Sequence, residues 1–535
     1  MAVAQSAAFP ASNDGNQTSS TLLSGLVSKE LIFAVVGPAG SGTSWIAKAL
    51  KESLSNTIPN SEVVVLKASE AIANWADSTK FGIDNSSKLS RAKSLQDAGD
   101  AIRSRDTAGV AVSLISEIIR IRDTPATDVA STKESPFRVY ILDSLKNPAE
   151  VSLLRSVYQE AFCLIGVVCE NQKRRSRLRD GKCNSSSGEE IDIFIERDQD
   201  SGISNGQKVS DTFHLSDYFI DNTQDRFSDT ESRVENPAWD VNDQLGRLID
   251  ILTFKKVVRP TASETGMFHA YGAKMTSACL SRQVGAALMD KAGNLLATGK
   301  NEVPAAGGGV YGGGFQSDPR NDHRCAYSTE YCSSNKHQDQ IIGELISVVP
   351  ELQGADPSRL KSTLKKTGIG RLLEFSRAVH AEMDALLTAA RQSISPVGSR
   401  LFVTTFPCHY CARHIVSAGV DEVQYIEPYP KSLAFDLHGD AIEKSKAAWV
   451  SPSDATIVHN ELIVKSSDHQ AAPKVLFRAF TGVAPRLYRQ AFMKDRKLKD
   501  EQGQMSFGKP EWSSGLLSEN YQAIEKRLVK NMMEG

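Results

Sequence analysis

The stretch RLFVTTFPCHYC, residues 400–411, runs an apolar strand directly into two cysteines spaced C-x-x-C. Arg400-Leu-Phe-Val-Thr-Thr405 has the length and composition of a buried strand, and Pro407 closes it before a helical pattern from Tyr410 to Ala418. Cys408 and Cys411 therefore fall at a helix start, where the dipole and the free N–H groups favour thiolates. Upstream, His380-Ala-Glu382 opens a second helix rich in alanine and leucine. His380, Cys408 and Cys411 make three protein ligands, which suits a tetrahedral Zn2+ whose fourth position is left for water. Glu382 stands two residues from His380, a spacing that does not stack the two on one helical face. Its expected role is to carry protons from that water to a substrate nitrogen and a leaving group. A purely structural zinc would take four protein ligands and have no need of that glutamate.

The rest of the chain narrows the setting. At 535 residues it has room for two or three domains, and 62 basic against 64 acidic side chains leave a charge of −2. No global basic field invites nucleic acid. Eight cysteines in such a length suit a reducing compartment and a metal site better than a disulfide framework, so a cytoplasmic location is expected. No run approaches the ~20 apolar residues of a membrane span. The polar start, with neither a basic n-region nor a long apolar h-region, reads as a disordered tail over 1–28.

A second motif lies near the start. GPAGSGTS, residues 37–44, carries the two glycines and the final serine of a phosphate-binding loop but has Thr43 where the lysine belongs. It sits between an apolar strand, Leu31–Val36, and a helical pattern from Trp45, the context such a loop requires. Gly37, Gly40 and Gly42 would let phosphates approach the backbone, and Ser44 would face a Mg2+ ion. Thr43 cannot supply the missing charge, so nucleotide binding is expected without fast phosphoryl transfer. Asp143 ends the apolar strand Val139–Asp143 and is the candidate to hold magnesium near a phosphate. Further strands at Phe162–Val168 and Asp217–Asn222 imply a parallel sheet covered on both faces. The bland alternative is a glycine turn with no ligand. The polar, glycine-rich stretch 180–210 reads as an insertion loop.

The paired motifs H-x-E and P-C-x-x-C resemble the signature of the zinc-dependent nucleobase deaminases. The segment Ser281–Met289, Asp290–Asn294 and Leu295–Asn301 reads as a hairpin and is similar to the entry of deoxycytidylate (dCMP) deaminases. That resemblance gives Asn301 a contact to the substrate sugar, against the plainer role of capping a turn. It also implies a second, structural zinc drawn from Cys279, His323, Cys325, Cys332 and His337, more candidates than four positions need. The basic run Asn171–Arg179 resembles the arginine-bearing lid of nucleotide kinases, against a solvated helix face.

A kinase-like half joined to a dCMP deaminase-like half resembles the bacterial anti-phage deoxycytidylate deaminases over most of residues 29–490. The implied fold is α/β: an N-terminal P-loop kinase-like parallel sheet and a C-terminal cytidine deaminase-like three-layer α/β/α domain. The expected layout is a P-loop domain over 29–225, a linker over 226–260, the deaminase over 261–490 and an extension over 491–535. The resemblance further implies dCTP and dCMP as substrates, depletion of the dCTP pool during infection, a homo-oligomer of hexamer type, and an inhibitory small non-coding RNA. Competing readings are a housekeeping dCMP deaminase, a polynucleotide-editing deaminase, and a nucleotide- or RNA-sensing switch with the deaminase half as scaffold.

Overall fold

Three near-continuous apolar runs, Glu30–Val36 (β1), Phe137–Asp143 (β3) and Phe162–Val168 (β4), form strands buried almost throughout, as parallel strands covered on both faces must be. The computed structural model describes residues 18–58, 61–123, 137–181, 187–203, 205–229, 232–312, 322–365, 367–371, 375–429, 432–446, 449–454, 456–458, 461–463, 473–493 and 498–505. Most of the expected tail and of the C-terminal extension lies outside those residues. The chain divides into two compact units, the first Met1–Val258 together with Lys494–Gly535 and the second Arg259–Met493.

In the first unit, Ser61–Lys67 (β2) and Tyr218–Asp221 (β5) complete a parallel sheet in which the strands run β2-β3-β1-β4-β5. The register pairs Val35 with Asp143, which sets the end of β3 beside the glycine loop that follows β1. Helix Thr43–Thr57 (α1) leaves that loop and buries Ile46, Ala47, Ala49, Leu50 and Leu54, the stripe an amphipathic helix turns to a core.

Three segments differ from expectation. Within the stretch read as a disordered tail, Ser19–Leu26 form a helix that buries Leu22 and Leu26. Residues 188–199 form a helix inside the stretch read as an insertion loop. Ser187 and Glu190 make a reciprocal capping box, and Ile191, Phe194 and Ile195 are buried at helical spacing. Composition hid that short periodic signal. The stretch read as a linker, 226–260, holds a short hairpin and the helix Val241–Thr253, whose Leu245, Leu248, Ile249 and Ile251 are buried.

The second unit is built on a mixed sheet. Its strands are Gly285–Met289 (β6), Leu295–Lys300 (β7), Arg400–Thr405 (β8), Glu422–Glu427 (β9), Ile442–Glu443 (β10) and Val475–Ala479 (β11). They run β10-β11-β9-β8-β6-β7. β8, β9, β10 and β11 are parallel to their neighbours among themselves, whereas β6 is antiparallel to both β7 and β8. Alternation along a strand assigns the faces. Leu401 and Val403 join the core that contains Ala381, Ala385 and Ile415. The intervening Phe402 meets Gly266 of the helix Ala262–Lys274 (α2) on the opposite side. Helices Ala381–Arg391 (α3) and His409–Ser417 (α4) therefore cover one face and α2 the other. α3 lies so close to the sheet that a Cβ on Gly299 would stand 2.2 Å from the Ala381 carbonyl. Among the described residues, no helix is long and apolar enough to cross a membrane.

Candidate active site

Both chemistry-bearing motifs sit at helix N-termini on one face of the second sheet. His380 is the N-cap residue of α3 and Cys408 that of α4, where its sulfur accepts from the Cys411 amide at 3.5 Å. The two sulfurs lie 3.3 and 3.4 Å from the same atom, Nδ1 of His380. Among the described residues, His380, Cys408 and Cys411 form a cluster of metal-binding type whose donor atoms all lie within 4.8 Å of one another.

The electrostatics of that cluster call for a cation. Cys408 is pulled down to about 4, first by the hydrogen bond from Cys411 and then by His380. Cys411 is pushed well above the ordinary thiol range, because Cys408 already holds the negative charge it donates to and because it is fully buried. Burial opposes a charge on His380, yet the Cys408 hydrogen bond and thiolate raise it to about 9. Two adjacent buried thiols cannot both ionise unaided, and a dication is what lets both become ligands. A tetrahedral ion with an open fourth position fits this donor set.

Glu382, in the first turn of α3, is buried beside the ligands and within reach of the Cys411 thiol. Burial, then the charge on Cys408, pushes its carboxyl up to about 7. His380, Glu382 and Cys408 line one wall of a cavity of about 310 Å³. Asn301 lines it too, but its amide is engaged within the hairpin. Its Oδ1 accepts from the Val284 amide (2.6 Å) and the Ser277 hydroxyl (3.0 Å), and its Nδ2 donates to the Arg282 carbonyl (2.5 Å).

Of the candidates for a second zinc, Cys279, Cys325 and Cys332 line the same cavity. Among the described residues, neither His323 nor His337 stands within 4.8 Å of two other donor groups. His323 stands edge-on to Tyr311 and His337 packs against Phe375. Irregular spacing in a long insertion left the ligand set open in sequence, and aromatic packing decides where these rings go.

Sequence reasoning passed over Arg282, Phe406 and Tyr429, which also line the cavity. Arg282 is half exposed, pairs with Glu427 at 2.9 Å and lies over the Tyr429 ring. The Thr405 hydroxyl holds the other oxygen of Glu427 at 3.0 Å. Position next to the hairpin and to Pro407 is the only sequence signal these residues carry.

In the first unit, the glycine loop and Asp143 come together at the C-terminal ends of the adjacent interior strands β1 and β3. Gly40 and Gly42 have φ of +83° and +89°, and a Cβ there would strike the Arg174 carbonyl and the Asn222 side chain. Thr43 opens α1, Ser44 is exposed, and Gly37 turns under the Ser41 hydroxyl.

Comparison with known proteins bears on the second unit. Residues 261–427 match the cytidine and deoxycytidylate deaminase zinc-binding region. ComE operon protein 2 of Bacillus subtilis (strain 168) is 37% identical over 74 residues, 13% of this chain and 39% of that protein. The crystal structure of dCMP deaminase from the cyanophage S-TIM5 in complex with dCMP and dUMP is similar at 24% identity and a TM-score of 0.20, over 34% of this chain and 91% of that one. Deoxycytidylate deaminase of Enterobacteria phage T4 is 32% identical over 172 residues, 30% of this chain and 76% of the phage protein. Since that likeness takes in most of the phage protein, and the matched zinc-binding region contains His380, Glu382, Cys408 and Cys411, this chain belongs to the deoxycytidylate deaminase family and is a zinc-dependent nucleotide deaminase.

Proposed function

We propose that the second unit deaminates free deoxycytidine nucleotides, dCMP or dCTP, to their uracil forms, with water consumed and ammonia released. The observation that carries this reading is the burial of Glu382 beside the three ligands, on the wall of a cavity that also presents the Arg282 cation. His380, Cys408 and Cys411 would hold Zn2+, which when bound supplies a Lewis acid that makes water nucleophilic near neutral pH. Glu382 would carry the first proton of the attacking water to the ring nitrogen, then the second, from the hydroxyl now on C4, to the amine, which leaves as ammonia as the C–N bond breaks. Arg282, held by Glu427, offers charge to a substrate phosphate, and Phe406 and Tyr429 offer apolar surface to a base. The Nδ2 of Asn301 spends one N–H on the Arg282 carbonyl, and its second N–H is the group that would reach the sugar.

The likeness to anti-phage deaminases supports a wider role: draining dCTP in the cytoplasm during infection, as a homo-oligomer of hexamer type restrained by a small RNA. The same resemblance makes the first unit, over 29–225, a regulatory nucleotide or RNA sensor whose Gly37, Gly40, Gly42, Thr43, Ser44 and Asp143 meet phosphates, with Mg2+ as its companion ion. A housekeeping dCMP deaminase would use the same centre. Incubating purified protein with each cytosine nucleotide and separating the uracil products by chromatography tests the core claim. Conversion of neither dCMP nor dCTP would overturn it. Nucleotide pools measured in infected cells, with and without the protein, separate the defence role from the housekeeping one.

A further inference from the structure

The glycine loop already holds an anion, and that anion is a side chain of the protein. The Ala39 amide donates to Oδ2 of Asp198 at 2.7 Å, across 159 residues of sequence. Oδ1 of the same carboxylate is paired with the Lys146 ammonium. Asp198 is fully buried. It comes from the helix Gly188–Gln199, whose apolar residues pack beside Ala39, and Lys146 comes from the turn after β3. An anion held at once by a glycine-loop amide and a lysine is the arrangement such loops offer to a phosphate. Here the lysine arrives from outside the loop.

Donors around the loop remain unused. The Ser41 hydroxyl and Nη2 of Arg174 are buried without a hydrogen-bond partner. Arg174 is 6% exposed, donates through Nε to the Ala39 carbonyl at 3.1 Å, and feels the charge of Asp198. Burying an unsatisfied donor is unfavourable, and a ligand oxygen would recover that loss. The neighbouring cations are committed: Lys173 and Arg177 pair with Asp225, and Arg175 pairs with Asp192. Lys146 therefore pairs with the carboxylate in whose field Arg174 also lies, and among the described residues Nη2 of Arg174 keeps its N–H groups unpaired beside the loop.

We propose that the Asp198 carboxylate is an internal stand-in for a phosphate, and that the loop binds the oligophosphate of a free nucleotide when this carboxylate withdraws. Lys146 then supplies the charge that Thr43 cannot. The inference rests on the reading of the first unit as a nucleotide site and adds to it a competitive gate. Withdrawal of Asp198 moves the helix Gly188–Gln199, so ligand and helix position are coupled.

The test uses the full-length protein with inorganic tripolyphosphate and with ATP, neither of which carries a cytosine for the deaminase centre. Calorimetric titration should show Asp198→Asn binding both at least ~10-fold more tightly than wild type, because a repelling charge is gone, and Lys146→Gln binding them at least ~10-fold more weakly. Equal affinities in Asp198→Asn and wild type, or no loss in Lys146→Gln, overturn the gate. In the unaltered protein, hydrogen exchange over 188–199 should quicken when tripolyphosphate is added, and unchanged or slower exchange refutes the displacement. Binding of tripolyphosphate without ATP overturns the nucleotide as occupant. Binding of neither by any variant removes both the gate and the nucleotide reading, while dCMP conversion by the same preparations reports separately on the deaminase.

Discussion

At the scale of single residues, the centre rests on a division of labour between ligands and a proton carrier. Glu382 lies beside the cluster but outside the three-donor set, so Glu382→Ala should retain zinc and lose at least ~10²-fold in turnover, the usual contribution of general acid–base catalysis. Metal analysis paired with a product assay checks both halves. Cys408→Ala and Cys411→Ala should each lose the metal, because two donors are too few for a tetrahedral site. Unchanged zinc content in either variant contradicts the ligand assignment. These residue types were legible from the H-x-E and C-x-x-C spacings. The role of Arg282 was not, because its meaning comes from Glu427 and Tyr429, which only the sheet brings to it.

At the scale of elements, two helix N-termini do the positioning. α3 brings His380 and Glu382, α4 brings Cys408 and Cys411, and the sheet beneath fixes the distance between them. Gly299 sets how closely α3 approaches. A methyl group there would stand 2.2 Å from the Ala381 carbonyl and 2.3 Å from the Ala385 amide. Gly299→Ala should therefore push α3 outward and lower zinc occupancy and turnover together, while the fold persists as judged by circular dichroism. Full zinc occupancy in that variant would show that the helix does not depend on the close approach. Most of these elements were readable as apolar runs bounded by turn residues. The helix at 188–199 was not, because glycine, serine and acidic residues around it outweighed three buried apolar positions.

At the scale of the whole molecule, the first unit is ordered in part by a buried ion pair, Arg103 Nε to Glu150 Oε1 at 2.8 Å, with both side chains almost wholly enclosed. Glu150 also caps its own helix and accepts from the Lys146 and Asn147 amides, so it orders the turn that presents Lys146. Glu150→Ala leaves the buried Arg103 guanidinium with Asp100 at 3.4 Å as its remaining carboxylate partner and should cost about 3 kcal/mol, read as a lower denaturation midpoint for the first unit. The proposed homo-oligomer is checked by light scattering, with a monomer at working concentration as the contrary result.

By itself the sequence determined which side chains could ligate a metal, since His380, Glu382, Cys408 and Cys411 fall in short motifs whose local spacing survives any fold. It also determined the alternation of strands and helices, because apolar periodicity is a local property. Tertiary structure decided what those residues face. The arginine at the cavity, the meeting of Cys279, Cys325 and Cys332 on its wall and the seating of Asp198 on the glycine loop all depend on contacts between residues far apart in the chain. No local pattern encodes such contacts, because they arise only when packing of the core sets one element against another.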